Sequence, residues 1–143
     1  KRTITSYRST QKKGAISLKR LYAAIAFLLI ILATSAFTIF QCRQFRDQAI
    51  PQVEQIIEYA ETGHLEQAAG LSGQFFDSWS KTRDSMVWYI RHEPLEKITG
   101  IASRLESLAH HGYLSQLIAQ ANELIVHIDE LYHNELPLIQ NLI

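Results

Sequence analysis

Glu130 and His133 stand three residues apart, the helical spacing with which di-iron carboxylate bundles hold their metals. Those bundles need the motif twice, plus two further glutamates. Here the only helical companion is Glu106 with His110, while Glu61 and His64 straddle Gly63 and cannot share a helix face. Glu130 and His133 also flank the apolar stripe through Leu131 instead of lying in it, which reads as a solvated polar face. No metal and no cofactor is expected.

The other candidate chemistry is equally thin. His92-Glu93 precedes Pro94 and reads as a structural corner, where a side chain can satisfy the open amides of a helix start. A ligand or partner contact at His92 is the alternative. His110-His111 closes a helix, a place where the dipole favours a protonated imidazole. No Ser, His and acid set has a strand–turn–helix context, and no glycine loop suits a phosphate. The single cysteine, Cys42, excludes an intramolecular disulfide framework and a Cys-rich zinc site. The chain is therefore expected not to be an enzyme.

The aromatic residues carry a different signal. Trp79 and Trp88 are nine residues apart, so on one helix they point about 180° apart and cannot both face one narrow core. Either the domain buries them on several sides, or one serves a second interface with helix three, a partner or the membrane surface. Exposed aromatics make good interface anchors. Trp79, Trp88, Tyr89 and His92 are accordingly the candidate interaction or pocket residues.

The elements that must position them are all helical. The chain holds only three valines, and no stretch alternates like a half-buried strand. Beyond the N-terminal apolar run, Phe45, Ala49, Val53, Ile56, Ile57 and Ala60 recur at three- and four-residue steps. Pro51 falls inside this helix and predicts a kink or a fresh start, and Gly63 suits its C-cap. A second helix is expected from Leu65 to Arg91, with Leu71, Phe75, Trp79, Thr82, Met86 and Ile90 as its stripe. Gly70 and Gly73 within it point to close approach of a neighbouring helix. Pro94 opens a third helix that ends near His110–Gly112. A fourth carries Leu114, Leu117, Ala121, Leu124, Ile128 and Leu131, a spacing suited to coiled-coil-like packing in this chain or with another copy. Pro137 stops it, and the apolar tail 138–143 is expected to dock on the bundle.

The two glycine turns echo each other. The run from Gly63 to Ala69 matches that from Gly112 to Ile118 at an offset of 49, which also maps Ala60 on Ala109, Phe75 on Leu124 and Trp79 on Ile128. Two similar helix–turn–helix units follow. The step from Gly63 to Ala68 looks weakly like the inter-helix turn of tetratricopeptide hairpins. The expected fold is all-α: a transmembrane helix, then a bundle of two antiparallel hairpins.

Charge and hydropathy divide the chain further. Residues 21–40 form a run of twenty without a charge. At 1.5 Å per residue they span about 30 Å, the thickness of a hydrocarbon core. Thr34, Ser35 and Thr38 can return their hydroxyls to the preceding turn, and Tyr22 suits the headgroup region. Residues 1–40 carry seven Lys/Arg and no acid, whereas residues 41–143 carry seven Lys/Arg against fourteen Asp/Glu, a net charge of −7. The cationic flank places the N-terminus in the cytoplasm and the acidic part outside. Three segments result: a basic cytoplasmic tail, 1–18, disordered when free; a signal-anchor helix, 19–42; and an extracytoplasmic helical domain, 43–143. Nucleic acid is excluded as a partner, since the basic residues lie beside the membrane. Cleavage after Ala36 has only a weak small-residue pattern behind it. Lipoprotein processing at Cys42 is disfavoured by Ile39, Phe40 and Gln41. Cys42 reads as an ordinary residue at the interface, with palmitoylation or a disulfide to a second copy as alternatives.

The anchor, the Gly–Ala turn, Trp79, Ile90-x-His92 before an acidic helix start, and the ending from Glu135 to Ile143 together resemble the bacterial small membrane protein family catalogued as domain of unknown function 4363. The resemblance covers nearly everything after the basic tail. It implies Gram-positive bacteria and a single-span topology, and no activity. The expected function is a non-enzymatic protein-interaction or assembly module at the outer face of the cytoplasmic membrane. Its partners would be the lipid bilayer and a membrane or extracytoplasmic protein, self-association included. The alternatives are an extracytoplasmic small-ligand sensor and, more weakly, a metal-binding bundle.

Overall fold

A computed structural model of the chain describes residues 8–135, with side-chain surroundings for residues 17–133. The expected docking of the tail and the stop at Pro137 lie outside the described residues. Four helices follow one another: α1 (Arg8–Glu61), α2 (Leu65–Met86), α3 (His92–His110) and α4 (Leu114–Glu135). The described residues fall into two compact units, divided between Phe37 and Thr38.

The first unit is the early part of α1. Its helix starts at Arg8, inside the stretch whose composition reads as disordered. Lys, Arg, Gln and Leu are good helix formers, and extending a helix that the apolar run has already nucleated is far easier than starting one. From Leu18 to Leu32 the large apolar side chains are 45–68% exposed, so this is no core helix. It is the one helix among the described residues long and apolar enough to cross a membrane. The hydroxyls of Thr34 and Ser35 donate to the carbonyls of Ile30 and Ile31, so these polar groups satisfy themselves within the helix.

The second unit holds α1 from Thr38 onward with α2, α3 and α4. The expected apolar faces supply its core: Val53, Ile56 and Ala60 from α1, Phe75 and Trp79 from α2, Ile98 and Leu105 from α3, Leu117, Leu124 and Ile128 from α4. Successive helices are antiparallel. Phe45 meets Trp79, Gly73 lies against Glu106, and the start of α3 faces the end of α4 through Glu93, Lys97, His127 and Glu130. Arg46 reaches Asp129 and so joins α1 to α4. The turns after α1 and α3 thus share one end of the bundle. The α2–α3 turn shares the other with Thr38 and the end of α4.

The two glycine turns repeat the same pair of cap bonds. Gly63 and Gly112 have φ of 80° and 71°. Each glycine amide donates to the carbonyl three residues back, Ala60 or Ala109, and the next amide to that five back, Tyr59 or Leu108. These are the paired bonds of a Schellman cap, and all four acceptors obey the 49-residue offset.

Four expectations need correction. Of the two outcomes expected at Pro51, a kink or a fresh start, the fresh start does not occur, since helix α1 runs through it; Pro51 is exposed, so the carbonyl left without its donor can be hydrated. Helix α2 stops at Met86 instead of Arg91. The Met86 carbonyl accepts from the amides of both Tyr89 and Ile90, which closes a turn and swings Ile90 into the core. Gly70 is exposed, and a Cβ there would meet nothing within 4 Å, so no helix approaches it. At Gly73 the neighbouring helix does come close, through the α3 residue Glu106, whose carboxylate would lie 3.2 Å from a Cβ there. Cys42 is 2% exposed within the core, which removes the grounds for palmitoylation or a disulfide to a second copy there.

Candidate functional site

Trp79 anchors the middle of the bundle. It is fully buried, its Nε1 donates to Thr99 Oγ1 at 2.9 Å, and that hydroxyl donates on to the Leu95 carbonyl at 2.7 Å. The Phe45 ring lies 5.0 Å away, centroid to centroid, tilted by 42°. Together they form the floor of a half-open groove of ≈ 340 Å³ between α1 and α2.

The walls of this groove are polar and almost uncharged. On the α1 side stand Gln41, Gln44, Gln48 and Gln52, at steps of three, four and four, which put them on one helix face. On the α2 side stand Ser78, Lys81, Thr82 and Ser85. Thr82 and Ser85 spend their hydroxyl protons within their own helix, on the carbonyls of Ser78 and Thr82. The four glutamine amides make no hydrogen bond to another described residue. Sequence reasoning missed this face, although the Gln spacing is itself a helical stripe.

Tyr89 closes one end of the groove. Its hydroxyl is buried without a well-formed hydrogen bond. Burial pushes its pKa up, and neighbouring Cys42 pushes the same way; Ser85 works against both, though its own proton goes to Thr82. Of the four candidate residues, Trp79 and Tyr89 therefore meet in one groove. Trp88 does not join them: it sits in the turn after α2, 89% exposed. His92, the first residue of α3, is exposed, and its side chain hydrogen-bonds to no other described residue. The corner at Arg91–His92 has no side-chain cap.

The acid–histidine pairs resolve differently from their spacing. Glu130 pairs with His127 at 3.0 Å, while His133 turns to Asp129 at 3.2 Å. Glu106 and His110 approach to 3.8 Å on the surface. His64 meets Thr62 at 2.9 Å instead of Glu61. Among the described residues, no three of His, Cys, Asp and Glu gather as metal ligands would. A second depression beside α3 and α4 is lined by Arg91, Glu93, Lys97, His127 and Glu130, whose charges are largely paired with each other, as Lys97 with Glu93 at 3.0 Å. Arg46 also went unnoticed in the sequence. Its Nε lies 2.6 Å from Asp129 Oδ1, and its guanidinium lies over the Tyr132 ring at 5.1 Å.

The family model "Domain of unknown function (DUF4363)" matches residues 36–142. The chain belongs to this family. The DUF4363 match covers the helical unit and begins near the end of the apolar run, so most of the span lies ahead of it. Groove, turns and exposed tryptophan all fall inside the DUF4363 region. No curated protein matches the chain, and no solved structure does.

Proposed function

We propose that this chain is a non-enzymatic interaction module, held by residues 21–40 at the outer face of the cytoplasmic membrane, whose groove between α1 and α2 engages another membrane or extracytoplasmic protein. The observation that carries this reading is the face of four unengaged glutamine amides above an aromatic floor. Neutral donors and acceptors over apolar rings suit an uncharged protein segment, which offers backbone amides and apolar side chains together. No group in the groove is arranged as a nucleophile with its base. The excess of Lys/Arg before the span supports the outward placement of the acidic unit.

A photo-crosslinking residue at Gln48, expressed in cells, tests the reading. A discrete adduct with another protein is expected from Gln48 and not from Glu54, outside the groove. Equal, diffuse labelling from both positions would remove the groove from consideration.

One observation favours a second reading, a small-ligand sensor. The groove volume falls at the lower end of the range of small-molecule pockets, and Tyr89 lines one end of it with its hydroxyl buried and unpartnered behind the surface. Native mass spectrometry of the purified chain separates the two. A bound small molecule that Tyr89→Phe releases would favour the sensor.

A further inference from the structure

Trp88 is the most exposed large apolar side chain among those described in the chain, at 89%. Exposing an indole to water is unfavourable unless something covers it in use. Its position in the bundle says what that is. Helices α1 and α2 are antiparallel, with Phe45 level with Trp79. Moving from Trp79 toward Trp88 therefore moves down α1 from Phe45 toward Thr38. Gln41 and Tyr89 line the same end of the groove, and Cys42 lies close enough to Tyr89 for their charges to interact.

The helical unit begins inside the apolar run, since Thr38, Ile39 and Phe40 are the run's last three residues. Phe40 is itself 63% exposed. At 1.5 Å per residue, Cys42 lies only about 3 Å along the helix beyond Phe40. The same end of the unit thus carries Phe40, Val87 and Trp88 as exposed apolar side chains, with exposed Arg43 and Arg91 beside them. Apolar residues with an indole among them and arginines at the edge are the composition of a membrane–water boundary. There a tryptophan sits at headgroup level and an arginine reaches toward phosphate.

We infer that the α2–α3 turn is a lipid-docking tip: Trp88, with Val87, inserts into the headgroup region of the bilayer that the chain's own anchor spans. The helical unit would then be held at two points, through α1 and through the turn. That limits its freedom to pivot and presents the groove at a set height above the lipid. The inference rests on residues 21–40 occupying the bilayer, and it holds whichever side of the membrane the unit faces.

The experiment uses the full chain in vesicles of phosphatidylcholine and phosphatidylglycerol carrying lipids brominated just below the headgroup. Only Trp79 and Trp88 emit as tryptophans, and Trp79 is buried. Bromolipid quenching of the wild-type emission is expected, with loss of that quenching in Trp88→Ala. Far-UV circular dichroism of the variant should match the wild type, because the side chain is exposed. Three results would overturn the inference: equal quenching in both proteins, quenching of Trp88 by aqueous iodide as complete as that of a free indole, or shielding from both quenchers. The last would mean that protein covers the turn, from a second copy or from elsewhere in the chain. Phe27→Trp in the Trp88→Ala background reports the anchor separately. Deep bromolipids should quench it, and failure there would bring down the anchor, whereas quenching at Phe27→Trp with none at Trp88 brings down the docking alone.

Discussion

The two hairpins, α1 with α2 and α3 with α4, share their turns and differ in what lies between their helices. At an offset of 49 the glycine φ values, the cap bonds and most of the buried positions coincide. The side chains at those positions do not. The first hairpin places Phe75 and Trp79 where the second has Leu124 and Ile128, and Gln48 where the second has Lys97. What is shared makes a hairpin stop, turn and bury one stripe. What is unshared opens an almost uncharged, aromatic-floored groove in one hairpin and leaves a surface of paired charges on the other. The repeat explains the fold, and departure from the repeat locates the candidate site.

The sharpest way to break this comparison is to empty the equivalent buried positions. Trp79→Ala should cost about 3–5 kcal/mol, the range for a buried Trp or Phe, and Ile128→Ala should cost less, toward about 2 kcal/mol. Trp79 leaves the larger void and also deserts Thr99, although that hydroxyl keeps its bond to Leu95. Urea unfolding of the micelle-bound full chain, followed by far-UV circular dichroism, measures both. Equal losses would mean that the aromatic hairpin contributes no more to the core than the aliphatic one.

The turns should instead behave alike. Gly63→Ala and Gly112→Ala each force an L side chain into the left-handed region, at about 1–2 kcal/mol. Neither adds a clash: a Cβ at Gly63 meets nothing, and one at Gly112 meets Leu65 Cδ1 at an ordinary 3.9 Å. The two penalties should therefore agree closely in the same unfolding assay. A large difference would show that the shared bonds hide unequal surroundings.

Much of this was legible because helices announce themselves locally. Periodicity located the stripes of all four helices, and Gly63, Gly112 and Pro94 marked their boundaries. The end of α2 misled for a physical reason: Ile90 stands four residues after Met86, so it continues the helical stripe in sequence while reaching the core through a turn. For the same reason Trp79 and Trp88 do lie apart, but because Trp88 sits in a turn and not because the two point to opposite sides of one helix. Burial of Cys42 was hidden by the apolar run just before it. The groove needs two helices side by side, and glutamine is ordinary on any solvated face, so nothing local singled it out. Arg46 and Asp129 are 83 residues apart, and only the closing of α4 onto α1 brings them together.

That closure gives a smaller effect. Arg46 and Asp129 are about one-third exposed, at 34% and 37%, so solvent screens their attraction despite the short contact. Their coupling in a double-mutant cycle of Arg46→Ala and Asp129→Ala should be about 1 kcal/mol or less. It should shrink as salt is raised. A coupling of zero would leave the two hairpins joined by apolar contacts and by the hydrogen bond from Trp79 to Thr99.

The smallest effect sharpens the comparison at the mouth of the groove. The Tyr89 pKa is raised above its ordinary 10.0, first by burial and then by Cys42. The folded protein therefore holds the phenol proton more tightly than the unfolded chain does. Stability from the neutral phenol is fully present below pH 10 and is lost as pH rises through the folded value. Alkali acts on the rest of the chain as well, so the test is a difference. Urea midpoints of wild type and Tyr89→Phe are compared from pH 8 to strongly alkaline conditions, read by far-UV circular dichroism. The variant should match or slightly exceed the wild type near neutrality, because the hydroxyl it removes is buried without a well-formed hydrogen bond. It should then fall less steeply above pH 10. Parallel curves would mean that Tyr89 ionises as freely in the folded bundle as in the unfolded chain, and that the mouth of the groove is open to water.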